Sequence, residues 1–126
     1  MPLVTSAAKA VYAVLGTLSL VLGFLLLWTP ALALPSDGYS PLTAHLVREQ
    51  AALAIFLGLM AFWCLWHFHE RRFVHFALLL FAALFSLVHW LEYLSGHRHL
   101  LSPIINSVPL VALGMTMPAR RAKSEG

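Results

Sequence analysis

Two ionisable side chains one helical turn apart, His89 and Glu92, stand near the end of the apolar run His75 to Tyr93, HFALLLFAALFSLVHWLEY. At about 100° per residue, His75, Ala82, Ser86, His89 and Tyr93 share one side of a helix with Glu92 beside them. Phe76, Leu80, Leu84 and Leu87 cover the other faces. An imidazole and a carboxylate inside an apolar helix cost several kcal/mol unless paired, so the stripe must face protein or water. The chemistry open to it is ion pairing, proton transfer, hydrogen bonding to a polar headgroup, or metal ligation. Further groups of the same kind occur elsewhere in the chain: His45, Arg48 and Glu49 in one segment, Asn106 in another.

The elements that must position these groups are membrane helices. The chain has 126 residues, of which 60% are hydrophobic and 10% charged, with a mean hydropathy of +0.82. That balance excludes a water-exposed globular surface. The expected architecture is all-α, an integral membrane four-helix bundle forming a single transmembrane domain over residues 1–126, with spans at about 8–28, 46–66, 73–94 and 100–117. Gly16, Ser19 and Gly23 make a small-residue seam on the first span; Ala51, Ala54, Gly58 and Ala61 make another on the second. Pro35 to Pro41, PSDGYSP, reads as a polar loop. The short link HFHERRFVH makes the second and third spans an antiparallel hairpin. Ser95-Gly96 ends the third span. Ser102-Pro103 reads as an N-cap with proline at the first helical position of the fourth. The first span, preceded by Lys9 and followed by Ala31-Leu32-Ala33, also mimics a signal peptide, but its apolar run is too long and a retained helix is favoured. The single Cys64 excludes an internal disulfide. The net charge of +3 sits at helix ends rather than on a continuous basic face, so nucleic acid is not an expected partner.

Four spans put both termini on one side. Lys9, Arg71, Arg72, Arg120, Arg121 and Lys123 fall there, against Arg48 and Arg98 on the other face. The positive-inside rule then places both termini in the cytoplasm, in a cell inner membrane. Trp28, Trp90 and Tyr93 belong to the outer aromatic belt, and Tyr12, Trp63 and Trp66 to the inner. This topology brings His45, Arg48, Glu49, His89, Glu92, Tyr93 and Asn106 to one depth near the outer leaflet, where Arg48 can pair with Glu92 and Glu49 with His89. One reading is a structural knot of mutually satisfied groups. The other is a pocket for an anion, a quinone-like or lipid headgroup, or a metal.

His75 and His89 lie about 21 Å apart along one helix and about 40° apart in azimuth. This resembles the spacing in b-type cytochrome helices that hold a haem near each membrane face. That pattern needs matching histidines on a second helix, and His45 and His67 are too far apart, about 33 Å if helical. A single haem through His75 with His67 or His69, or an intersubunit ligand at His89, is the form haem binding would take. Small multidrug exporters carry a glutamate in the first helix, which has none here; disulfide-generating quinone reductases need cysteine pairs. The Gly-seamed first helix, the Arg48-Glu49 opening of REQAALAIFLGLMAFW, the basic turn and the histidine-bearing third helix resemble the small DoxX-like four-helix membrane proteins of bacteria. That resemblance implies an accessory role beside membrane redox enzymes. The expected function is therefore a non-catalytic accessory or binding subunit, helping to build a larger membrane complex through its small-residue seams or by homo-oligomerisation. The alternative is a haem- or quinone-binding redox protein using the outer His/Arg/Glu cluster.

Overall fold

The computed structural model describes residues 2–96 and 99–118. Its elements in chain order are α1 (Pro2–Trp28), a 3-10 turn (Pro30–Ala33), α2 (Pro41–Trp66), α3 (Arg72–Leu94) and α4 (Leu101–Met115). No strand occurs among the described residues, so the protein is all-α with four α-helices. Three of these, α1, α2 and α3, are long and apolar enough to cross a membrane. Helix α4 has 15 residues, about 22 Å against a hydrocarbon thickness of about 30 Å. It is shorter than the expected fourth span because it begins at Leu101 and stops at Met115, where Thr116 breaks from helical geometry.

Two other boundaries differ from expectation. Helix α2 begins at Pro41, five residues before the expected start. Ser40 is its N-cap, accepting from the Thr43 amide at 3.1 Å while the Ser40 amide donates to Thr43 Oγ1 at 2.8 Å. Pro41 at the first helical position costs no hydrogen bond, since that amide would have had no intrahelical acceptor. In α4, Ser102 is not the cap: Leu100 precedes the helix in α-conformation and no side chain caps it. The end of α3 is as expected, with Gly96 at φ 78, a left-handed conformation that glycine adopts without steric cost.

The chain forms two compact units, Tyr12–Phe68 and Met1–Val11 with His69–Gly126. In the first unit, α1 and α2 run antiparallel along the two small-residue seams. A Cβ on Gly16 would stand 3.3 Å from the Gly58 carbonyl oxygen, one on Gly23 would stand 2.9 Å from that of Ala51, and one on Gly58 would stand 3.0 Å from that of Gly16. Backbone thus meets backbone at two levels, two helical turns apart on both helices. This contact is made by van der Waals packing that only small residues allow. Ala51, Gly58, Ala61 and Cys64 are buried on α2, and Tyr12 is wholly buried with its ring edge-on to Phe68 at 6.4 Å.

In the second unit, α3 packs against α4. The side of α3 that turns inward carries His75, Leu78, Ala82 and Ser86; of the stripe anticipated from spacing, His75, Ala82 and Ser86 are buried and His89, Glu92 and Tyr93 half-buried. Phe76, Leu80, Leu84 and Leu87 are exposed, as lipid-facing positions must be. The Ser86–Ser107 contact and the hydrogen bond from the His75 imidazole to the Leu113 backbone set α4 antiparallel to α3.

Candidate functional site

The expected cluster is divided between the units. In the first, His45, Arg48 and Glu49 are all exposed. His45 Nε2 lies 3.2 Å from Glu49 Oε1, an i,i+4 pair in which both side chains remain mostly exposed, a geometry worth little to stability. Arg48 Nε donates to the Leu27 carbonyl at 3.3 Å. Leu27 lies in the last turn of α1, whose carbonyls have no intrahelical donors, and a guanidinium is well matched to that negative helix end.

The second unit holds the other half, and there the sequence-selected residues join a wider hydrogen-bonded seam. Ser86 Oγ lies 2.6 Å from Ser107 Oγ; Trp90 Nε1 donates to Ser107 Oγ at 3.1 Å; Ser107 Oγ donates to the Pro103 carbonyl at 2.7 Å. A hydroxyl has one proton and two lone pairs. With its proton on Pro103, Ser107 accepts from both Trp90 and Ser86, which fixes the direction of every bond in the chain. One turn toward the loop, His89 Nδ1 stands 3.4 Å from Ser102 Oγ and 3.7 Å from Glu92 Oε2. The His89 side chain is nearly buried, and its ring is edge-on to Phe85 at 4.7 Å. Asn106 donates to the Ser102 carbonyl at 2.8 Å. Tyr93, half-buried, lies edge-on to Trp90 at 6.0 Å.

Ser86, Trp90, Ser102 and Ser107 were not among the site residues selected from sequence. The available signal was spacing: Ser102, Asn106 and Ser107 recur at about one turn on α4, and Ser86, His89, Trp90 and Tyr93 at three or four residues over two turns of α3. Chemically, the arrangement can hold a hydrogen-bonding group but does not form a nucleophilic relay. In a serine–histidine–carboxylate relay the hydroxyl and the carboxylate occupy opposite ring nitrogens. Here both face Nδ1.

Of the haem candidates, His75 is fully buried within the packed helices, with its imidazole committed to the Leu113 backbone. His67 is exposed, its ring stacked on Trp63 at 4.7 Å and its Nδ1 3.3 Å from the Trp63 carbonyl. Among the described residues, no group of three or more His, Cys, Asp or Glu side chains could hold a metal ion.

No family model, curated protein or solved structure matches this chain. What is supported is a small all-helical protein with three long apolar helices and a shorter fourth, and no family is identified. Arg98, Arg120, Arg121 and Lys123, half of the basic residues that set the expected orientation, lie outside the described residues.

Proposed function

We propose that this chain is a non-catalytic integral membrane protein serving as an accessory or binding subunit of a larger membrane complex. The observation that carries the reading is the closure of the α3 polar stripe by α4. Ser86, Trp90 and Ser107 satisfy one another, while Leu80, Leu84, Leu87, Ile104, Val108 and Val111 face outward. An apolar exterior of this kind is covered by lipid or by neighbouring membrane helices. The small-residue seams, expected to serve the complex, are occupied internally between α1 and α2, so a partner meets the larger apolar faces instead. DoxX-like membership, a bacterial inner-membrane location and cytoplasmic termini belong to this proposal, as does coupling of Arg48 with Glu92 and of Glu49 with His89. A second reading is a quinone-headgroup site at the loop end of α3 and α4. It is favoured by the nearly buried His89 beside Ser102, Glu92, Tyr93 and Asn106.

The deciding experiment compares His89→Gln with the parent after purification in native lipid. Glutamine preserves a hydrogen-bonding side chain of similar size but cannot serve as an imidazole. The accessory reading expects unchanged melting and unchanged co-purifying membrane proteins. Loss of a bound quinone or pigment at unchanged melting would defeat it and install the second reading.

A further inference from the structure

We propose that the first turn of α3 is a docking surface for anionic phospholipid headgroups, with the Arg72 guanidinium as its main contact. The inference rests on the integral-membrane reading, but it holds whichever way the protein is oriented. Helices α2 and α3 are both of membrane-spanning length and are joined by the turn 67–71 alone. A link that short between two crossings lies at headgroup depth by connectivity.

Arg72 opens α3 and is exposed. Its guanidinium lies over the Phe76 ring at 6.0 Å from the centroid, and among the described residues its side chain makes no ion pair. The cation–π contact orients a guanidinium that is weakly hydrated and suited to bidentate phosphate contact. Arg71 adds a second positive charge beside it, against one carboxylate in the turn, Glu70. Next to Arg72, Phe73 is 84% exposed. A soluble anion gives such a ring nothing to bury against, whereas a phospholipid supplies both the phosphate and an apolar region beneath it. That combination of a phosphate-matched cation and an unburied aromatic neighbour points to lipid.

The test uses the full chain in mixed micelles of equimolar phosphatidylglycerol and phosphatidylcholine, with native mass spectrometry reading the ratio of the two among bound lipids. The parent is expected to favour phosphatidylglycerol. Arg72→Gln should reduce that preference about five-fold, the worth of one basic residue at an anionic surface. Arg72→Lys, which keeps the charge but not the planar bidentate geometry, should fall between the two. Inorganic phosphate added at the same concentration should leave the ratio unchanged. An equal ratio in the parent, an unchanged ratio in Arg72→Gln, an Arg72→Lys loss as large as that of glutamine, or abolition by inorganic phosphate would each overturn the proposal. Failure of the membrane reading would show differently, as a chain that stays in solution without detergent and binds neither lipid.

Discussion

The α1–α2 seam makes a ranked prediction for single glycine-to-alanine changes. At Gly23 the added Cβ would lie 2.7 Å from Ile55 Cγ1, 2.9 Å from the Ala51 oxygen and 3.0 Å from the Ile55 nitrogen. Two of those three atoms are backbone, so relief requires the helices to separate. Overpacking of that kind costs about 1–3 kcal/mol. Against it stands the helix-propensity gain of alanine over glycine, about 1 kcal/mol. With two backbone atoms in the way the overpacking cost falls in the upper half of its range, so Gly23→Ala should destabilise by about 1–2 kcal/mol net. Gly58→Ala, meeting Leu20 Cγ at 2.8 Å and the Gly16 oxygen at 3.0 Å, should come close behind. Gly16→Ala meets mainly the Phe62 ring at 2.8 Å, and a ring can turn aside, so its net effect should be under about 1 kcal/mol. Gly114 is the internal control. Nothing lies within 4 Å of its Cβ position, so alanine there should be neutral or stabilising by up to about 1 kcal/mol. Unfolding in mixed dodecylmaltoside and dodecyl sulfate micelles, followed by circular dichroism, gives all four values on one scale. Equal stability of Gly23→Ala and the parent, or equal losses at Gly23 and Gly114, would refute the close backbone approach.

Ser107→Ala should cost about 1–2 kcal/mol, because it leaves Trp90 and Ser86 to find new partners in an apolar setting; Ser86→Ala should cost less, since Ser107 keeps its other two bonds. In the same unfolding assay, His75→Leu should lose about 1 kcal/mol through the lost bond to the Leu113 backbone, while His75→Gln should recover much of it. A double-mutant cycle on Arg48→Ala and Glu92→Ala should return a coupling of about 1 kcal/mol, and strict additivity would remove that pair from the proposed cluster. In a Cys64→Ala background, membrane-impermeant labelling of intact cells should reach Ser36→Cys and miss Glu70→Cys; the reverse would invert the proposed orientation.

What was legible in the sequence was the part governed by periodicity. The α3 stripe follows directly from the angular spacing of His75, Ala82 and Ser86, because an apolar solvent leaves polar residues only one acceptable side. The seams follow from small residues at helical spacing. What each seam packs against was not legible, since Gly16 and Gly58 read equally well as surfaces for another chain. The start of α2 was missed because PSDGYSP reads as loop throughout, although Ser40-Pro41 is itself the start signal. At Ser102-Pro103 the same dipeptide misled, because Leu100 and Leu101 already adopt helical geometry and the Ser102 hydroxyl faces His89 instead.

The hardest feature to read was which polar side chains serve the backbone. The last four carbonyls of a helix lack intrahelical donors, and in a hydrocarbon setting an unsatisfied one costs several kcal/mol. Here each α-helix has a side chain at that end, in addition to the backbone amides that the Leu25, Trp63, Leu91 and Leu113 carbonyls accept. Thr29 donates to Leu25 and Arg48 to Leu27 on α1; the His67 ring faces Trp63 on α2; Ser95 donates to Leu91 on α3; and Thr116 donates to Ala112 on α4, where His75 bonds to Leu113. Arg48, His67 and His75, three of the residues singled out as candidate ligands, thus have backbone partners, and those of His67 and His75 are carbonyls that a backbone amide also reaches. That leaves two ionisable pairs, His45 with Glu49, exposed on the surface, and His89 with Glu92 at the loop end of α3. Since His45 and Glu49 are largely exposed, the proposed quinone-headgroup site rests on His89, Glu92 and Ser102, where a ligand's hydrogen bonds would be better desolvated.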